Sequence, residues 1–148
     1  LATPAAFDRA TASSGRKVYQ TICSACHVMY GEGGKIGPEL TGSNRADLNY
    51  LLLNILYPSA DIADAYKMVT IITKDGQALS GNISEEDNQK VVLNMVGQKS
   101  TIPKSDIKSR TVSDFSMMPS GLLQTLKSEE IIALFKYMQT KQQVPLGK

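Results

Sequence analysis

The stretch of sequence that decides the fold covers residues 15–27 and reads Gly15-Arg-Lys-Val-Tyr19-Gln-Thr-Ile-Cys23-Ser24-Ala25-Cys26-His27. Apolar side chains recur in it at spacings of three and four residues, which predicts a helix over residues 14–30. One of the two serines ahead of the stretch is the expected N-cap. Cys23 and Cys26 then lie about one helical turn apart, and His27 follows the second cysteine directly. The stretch therefore brings two thiols and one imidazole together.

The spacing C-x-x-C-H is that of the c-type haem attachment sequence. Two thiols about one turn apart can add to the two vinyl groups of a porphyrin, and the adjacent imidazole can then coordinate the iron. Three other interpretations compete with this one. The motif could be a chance occurrence, a thioredoxin-like dithiol would need a preceding strand that the pattern does not show, and zinc would need a further Cys or His ligand. We therefore predict one haem c, attached through Cys23 and Cys26 and ligated by His27.

The composition excludes several other kinds of site. The 148 residues are 42% hydrophobic and 20% charged, which is typical of one folded globular domain. His27 is the only histidine, so a bis-histidine haem or a zinc site with two imidazoles cannot form. Two cysteines exclude a four-cysteine metal site and a scaffold of several disulfides. The net charge of +2 is too small to indicate nucleic-acid binding, and no apolar run approaches the ~20 residues of a membrane span.

The remainder of the chain divides into segments of distinct pattern. β-branched residues on both sides of the hairpin signal Asp75-Gly76 predict an antiparallel sheet, and helical periodicity returns near the end of the chain. In order, we predict a linker or disordered N-terminus over residues 1–13, a helix over 47–56, a small antiparallel sheet over about 66–112, a helix that begins with Ser128 as N-cap, and a polar tail over 142–148.

The iron would need a second ligand from elsewhere, because the chain has no second histidine. Methionine is the leading candidate. The loop over residues 116–121 is irregular, contains Pro119, and carries both Met117 and Met118. We favour Met118, which Pro119 follows, and keep Met117 as the alternative; the interpretation that both are ordinary packing residues stays open. The remaining methionines lie too close to the motif or on predicted core faces, namely Met29, Met68, Met95 and Met138.

These residues together resemble a class I cytochrome c. The resemblance implies that Gly15 and Tyr19 of the first helix pack against Tyr137 of the last helix. It also implies that the Pro38 carbonyl accepts a hydrogen bond from His27 and that Leu40 covers the haem. Such a bond fixes the tautomer and orientation of the imidazole and leaves Nε2 for the iron.

A closer resemblance covers nearly the whole chain. Its motifs are Ile36-Gly37-Pro38-Glu39-Leu40-Thr41, Arg45, Tyr50-Leu51-Leu52, Pro58-Ser59-Ala60, Asp75-Gly76 and Met117-Met118-Pro119-Ser120-Gly121-Leu122. They are similar to the haem-binding c domains first described from planctomycete and verrucomicrobial proteins. The resemblance implies Met118 as the distal ligand. It further implies a mainly α cytochrome c fold over residues 14–141, in which the N- and C-terminal helices pack around a covalent haem and a small antiparallel β subdomain is inserted.

Two further residues have a less specific pattern. Arg45 or Tyr50 could hold a haem propionate through a charged or a phenolic hydrogen bond, and each could equally be a solvated residue at a helix end.

A mildly basic stretch is interpreted as a solvated sheet face rather than a docking site; it contains Lys99, Lys104, Lys108 and Arg110.

The function expected from these residues is one-electron transfer by a monohaem c-type cytochrome with His27 and Met118 as iron ligands. No catalytic residues are predicted, so we expect an electron-transfer protein rather than an enzyme. We expect protein redox partners, no nucleic acid, a monomer by default and, because haem is attached to this motif outside the bacterial cytoplasm, a periplasmic or other extracytoplasmic location. Two alternatives stay open: a haem-based gas or redox sensor with a labile distal Met, and the electron-accepting domain of a larger extracytoplasmic dehydrogenase.

Overall fold

The computed structural model describes residues 3–147, so the parts of the predicted linker and tail at residues 1, 2 and 148 lie outside it. The described chain forms two compact units. We call residues 3–57 with 120–147 the helical unit, and Pro58–Pro119 the strand unit. Each unit is described by itself.

The helical unit contains four α-helices, α1 (Pro4–Arg9), α2 (Ala12–Ile22), α3 (Leu48–Leu56) and α4 (Ser128–Met138), with a short 3-10 turn over Leu122–Thr125. Side chains cap the starts of α1, α2 and α3. Thr3 accepts from the Ala6 N–H at the start of α1, and Asp47 accepts from the Tyr50 N–H at the start of α3. Thr11 and Ser14 form a capping box at the start of α2. Within the predicted linker, residues 4–9 therefore form α1, and α2 already begins at Ala12.

Helices α2 and α4 cross at Gly15. A Cβ atom there would lie 1.8 Å from the Ala133 carbonyl oxygen and 2.8 Å from the Tyr137 Cβ, so only glycine permits this approach. Next to the crossing, the rings of Tyr19 and Tyr137 meet edge-to-face with their centroids 5.4 Å apart. The resemblance implied that the helix with Gly15 and Tyr19 packs against the last helix, and this contact between α2 and α4 is confirmed.

The tail of the helical unit packs against α2 and does not project from the unit. The Gly147 N–H donates to the Ser13 carbonyl at 2.9 Å. The Arg16 guanidinium donates to the Val144 carbonyl at 2.7 Å and pairs with the Glu32 carboxylate at 2.8 Å. The Gln143 side chain also donates to the Glu32 carboxylate at 3.4 Å. The tail thus contacts both α2 and the loop that follows His27.

The strand unit is one antiparallel sheet of five strands, β1 (Lys67–Thr73), β2 (Ala78–Glu86), β3 (Lys90–Met95), β4 (Gln98–Pro103) and β5 (Ile107–Ser116). Their order across the sheet is β4-β3-β2-β1-β5. The β1–β2 and β3–β4 hairpins turn at Gly76 and Gly97, whose φ angles of 92° and 78° lie in the left-handed region. The sheet has a core of its own, formed by Val69, Ile71, Val91, Leu93 and Ile102.

Two of the basic residues of the strand unit pair with an acidic one. Glu86, near the end of β2, contacts Arg110 of β5 at 2.8 Å and Lys104 at 3.1 Å. Glu85 and Glu86 belong to β2, and Asp87 accepts backbone N–H bonds from Gln89 and Lys90 in the turn that follows. The mildly basic stretch is therefore partly neutralised within the unit.

The prediction of a mainly α cytochrome fold is wrong. The described residues are 32% helical and 28% strand, with the five-stranded antiparallel sheet as a major part of the chain. The strands lie between Lys67 and Ser116, so the sheet ends four residues beyond the predicted limit of about 112, where β5 continues through polar residues. With a core of its own, the sheet is as substantial a part of the fold as the helices.

Candidate functional site

The C-x-x-C-H motif lies in a turn that follows α2. The helix ends at Ile22, eight residues earlier than the spacing predicted, and Cys23 is its C-cap. The N–H groups of Cys26 and His27 both donate to the Cys23 carbonyl, at 3.1 and 3.0 Å. Burial, together with the charge of the neighbouring Cys26, raises the pKa of the Cys23 thiol to about 12, and burial raises that of Cys26. Both thiols are therefore protonated at neutral pH.

The His27 imidazole is held from two directions. Its Nδ1–H donates to the Pro38 carbonyl at 2.8 Å. The ring lies against the backbone of Gly37, where a Cβ atom would come within 2.6 Å of Cε1. Since Nδ1 is engaged, Nε2 is the nitrogen left to bind a metal.

The backbone of the motif is held by contacts that the sequence did not predict. The Tyr19 hydroxyl donates to the His27 carbonyl at 3.0 Å. Gly33, at a φ of 128°, also approaches that carbonyl, and a Cβ atom on Gly33 would lie 2.0 Å from its oxygen. A Cβ atom on Gly34 would lie 2.0 Å from the Ala25 carbonyl oxygen. The only sequence signal for these glycines is the glycine-rich run over residues 31–34. A sequence does not show which carbonyl a glycine will approach.

Leu40 and Tyr50 occupy different environments in the helical unit. Leu40 is half-buried against the core, and its N–H donates to the Val28 carbonyl at 2.8 Å. Tyr50 lies on α3 and is 39% exposed. Leu53 on the same helix and Tyr57 at its C-cap are each more than 60% exposed. The helical unit thus contains Cys23, Cys26, His27, Pro38, Leu40, Arg45 and Tyr50, seven of the eight predicted site residues.

Arg45 is buried, with 8% of its surface exposed, and its guanidinium bonds to backbone carbonyls. Its Nε donates to Leu40 at 2.9 Å, its Nη2 to Thr41 at 2.9 Å, and its Nη1 to Thr140 at 2.8 Å and to Met138. It also lies over the Tyr30 ring, 5.2 Å from the centroid. These contacts join the Leu40 loop to the end of α4. A contact with a propionate stays a prediction.

Met118 belongs to the strand unit, whose last residue is Pro119. Met117 and Met118 are both half-buried, and the Met118 N–H donates to the Ser116 hydroxyl at 3.1 Å. Met29 and Met138 are fully buried in the core of the helical unit. The role of Met118 as an iron ligand stays a prediction.

The residues of the helical unit fit a covalently attached haem. Two thiols three positions apart in one turn can add to vinyl groups, and an imidazole with Nδ1 engaged presents Nε2. Partly buried apolar side chains pack against the core of this unit, as an apolar macrocycle requires; besides Cys23 itself, they include Ile22, Leu40, Leu52, Ile55 and Leu126.

Comparison with known proteins identifies the family. Residues 10–94 match the family model described as cytochrome c oxidase, cbb3-type, subunit III, which is a cytochrome c domain. The chain belongs to this family of cytochrome c domains. The matched residues include the whole C-x-x-C-H motif and Arg45, and they end before Met118.

The other comparisons add little. No curated protein matches the chain. A crystal structure of the pleiotropic translational regulator Hfq is similar over 48% of this chain and 97% of its own, with 27% sequence identity and a TM-score of 0.32. A TM-score this low does not establish a shared fold.

Membership of a cytochrome c family supports a role in haem binding and electron transfer. It implies a haem c and redox partners, and it bears out the broader prediction of a class I c-type cytochrome. Among the described residues, no helix is long and apolar enough to cross a membrane.

Proposed function

We propose that this chain is a monohaem c-type cytochrome that transfers one electron at a time, with His27 and Met118 as iron ligands. The observation that carries the proposal is the arrangement of the His27 loop. The two thiols and the imidazole occupy one turn, and the Pro38 carbonyl engages Nδ1 at 2.8 Å. This is the donor set and the tautomer that a covalent haem needs.

Each residue of the loop has a separate task in this proposal. Cys23 and Cys26 anchor the group as thioethers, and His27 coordinates through Nε2. The Pro38 hydrogen bond and the Gly37 backbone keep the imidazole in one orientation, while Leu40 and its apolar neighbours exclude water. The haem, when bound, supplies the Fe(III)/Fe(II) couple, and a ligand set held rigidly in both oxidation states keeps the reorganisation small.

The proposal also includes the setting in which the chain works. Covalent attachment at C-x-x-C-H places it in the periplasm or another extracytoplasmic compartment, where protein partners donate and accept the electron. It acts as an electron carrier or as the electron-transfer module of a larger oxidoreductase. The two cysteines are then thioethers and form no disulfide.

Optical spectroscopy of the purified holoprotein tests the proposal. A pyridine haemochrome assay should give one haem c per chain, and the oxidised spectrum should show the red charge-transfer band of a methionine sulfur on ferric iron. Met118→Ala should abolish that band while the haem stays attached, and the matched Met117→Ala should keep it.

Three results would count against parts of the proposal. A chain without covalent haem would overturn it entirely. Loss of the band in Met117→Ala instead of Met118→Ala would reassign the ligand. Ready binding of carbon monoxide by the reduced wild type would favour a gas sensor with a labile methionine over an electron carrier.

A further inference from the structure

We propose that the outward side of α3 is a surface through which two copies of this chain associate. The surface is an exposed apolar stripe formed by Tyr50, Leu53, Leu56 and Tyr57, which we call the outer stripe. The inference goes beyond the proposed function, because it concerns association of the chain and does not depend on the iron ligands. It replaces the default expectation of a monomer with a specific surface.

The outer stripe points away from the core of the helical unit. Leu51 is buried in that core, and Ile55 packs against it. At about 100° per residue, the directions of Leu53 and Tyr57 differ from that of Ile55 by roughly 160°. The direction of Tyr50 differs from it by roughly 140°. Helix α3 therefore has apolar side chains on two sides, and its own unit covers only the inner one.

The cofactor does not account for the outer stripe. The α3 residues that fit an apolar macrocycle are Leu52 and Ile55, which pack against the core on the inner side. A group that lies against the inner side cannot also cover the outer one, since a helix with its side chains is about 10 Å across. The outer stripe is therefore a separate surface.

The charge pattern of this segment favours a second copy over a different redox protein. No charged residue occurs from Leu48 to Ala60, although 20% of the chain is charged. Complementary charges steer protein partners towards each other and select among them, and this segment has none. An uncharged apolar surface can meet its own copy without repulsion between like charges. The Asn54 amide does not oppose burial, because it donates to the Tyr50 carbonyl of its own helix at 2.8 Å.

The spacing of the outer stripe makes it self-complementary. Tyr50 lies three residues before Leu53, and Tyr57 lies four residues after it. In an antiparallel pair of α3 helices with the two-fold axis at Leu53, the two leucines meet at the centre. Tyr50 of each copy then lies near Tyr57 of the other, where the aromatic rings can pack edge-to-face. A two-fold interface requires a pattern that matches itself in this way.

The area of the outer stripe suits a weak dimer. Two tyrosines and two leucines at these exposures present roughly 400 Å² per chain, within the range of functional apolar patches. Two stripes with the residues at their borders would bury about 1,000 Å² in total, which is the lower limit for a specific interface. We therefore expect a reversible dimer with a Kd on the order of 10 μM.

Sedimentation equilibrium of the purified full-length chain, from about 1 to about 300 μM, tests the inference. The wild type should pass from monomer to dimer within that range. Leu53→Asp should raise the Kd at least about tenfold, because it brings two carboxylates together at the axis of an apolar interface. Phe115→Asp is the matched control, since it makes the same kind of change at an exposed apolar side chain of the strand unit. It should dimerise like the wild type.

A charge-swap experiment tests the two-fold contact itself. Leu53→Lys alone should weaken the dimer as Leu53→Asp does. An equal mixture of the two variants should recover a dimer within about tenfold of the wild-type Kd, because residue 53 of each copy opposes residue 53 of the other. Circular dichroism identifies variants that have failed to fold. Tyr57→Gln, at the C-cap of α3, is then the second variant and should raise the Kd several-fold.

Several outcomes would overturn the inference. A wild type that stays monomeric throughout the concentration range would do so. A dimer that Leu53→Asp leaves intact, or that Phe115→Asp weakens equally, would place association on another surface. A mixture that stays monomeric would exclude the contact between the two Leu53 side chains. Failure of the proposed function would appear separately, as the absence of covalent haem, and would not alter these measurements.

Discussion

At the scale of single residues, the site depends on positions that have no side chain. Gly37 lies against the His27 ring, and Gly33 lies against the His27 carbonyl. The space at Gly37 leaves room for the imidazole, which keeps its hydrogen bond to the Pro38 carbonyl. At Gly37 the requirement is steric, because the backbone lies against the His27 ring. At Gly33 the left-handed φ of 128° adds a conformational requirement to the steric one.

We predict that Gly37→Ala reduces the yield of holoprotein several-fold. The added methyl would lie 2.6 Å from Cε1 and 2.9 Å from Nδ1 of His27, so the ring must move and its bond to Pro38 is weakened. The haem content per chain, measured by pyridine haemochrome, checks this. Gly42→Ala is the matched control, because a Cβ atom there meets nothing within 4 Å. Equal haem content in the two variants would show that the ring does not need this space.

The residue scale also shows what a sequence can reveal about a site. The roles proposed for Cys23, Cys26 and His27 follow from covalent chemistry at a fixed spacing, so a pattern search finds them. The hydroxyl of Tyr19 and the missing side chain of Gly33 act on a carbonyl that only the folded chain brings near them. No pattern in the sequence marks such contacts.

At the scale of elements, the helix and strand types were predicted better than their ends. The last helix begins at Ser128 and its N-cap is Lys127, one residue before the predicted N-cap at Ser128. The Lys127 N–H donates to the Glu130 carboxylate. By contrast, α2 stops at Ile22, because the N–H groups of Cys23 and Ser24 both bond to the Tyr19 carbonyl and the regular i→i−4 pattern breaks there. Periodicity continues through such a turn, so it overestimates the length of the helix.

The ion pairs of Glu86 tie β2 to β5 and to the short 3-10 turn before β5 (Lys104–Asp106). Hydrogen bonds from Arg110 and Lys104 hold the pKa of Glu86 below its ordinary value. A lowered pKa means that the stabilisation is complete above the ordinary carboxyl pKa and is lost as the pH falls through the lowered one.

We predict that Glu86→Gln destabilises the strand unit by about 1 kcal/mol at neutral pH, the upper end for partly exposed ion pairs. The difference from wild type should shrink as the pH falls into the acid range, and it should be smaller in high salt. Urea unfolding at a series of pH values measures both trends. Glu85→Gln is the neighbouring control and should stay close to wild type. A Glu86→Gln effect that does not change with pH would exclude a role for the charge.

At the scale of the whole molecule, the chain has two cores. Tyr137, Met29 and Leu134 are among the most buried residues of the helical unit, whereas Ile71 and Leu93 are fully buried in the strand unit. The fold class was mispredicted because a resemblance carried by the helical motifs decided it. The β-branched pattern had indicated a sheet over about 66–112, close to the observed strands over 67–116. The error lay in assigning the whole chain to a mainly α class.

Separate cores predict separate stability. Ile71→Ala removes buried methyl groups from the core of the strand unit and should cost about 2–5 kcal/mol. Native-state hydrogen exchange should then speed up for the amides of β1–β3, while those of α2 and α4 keep their wild-type protection. Leu134→Ala, the matched variant in the helical unit, should show the reverse pattern. If Ile71→Ala accelerated exchange equally in all these elements, the two units would unfold as one, and the second core would not be an independent source of stability.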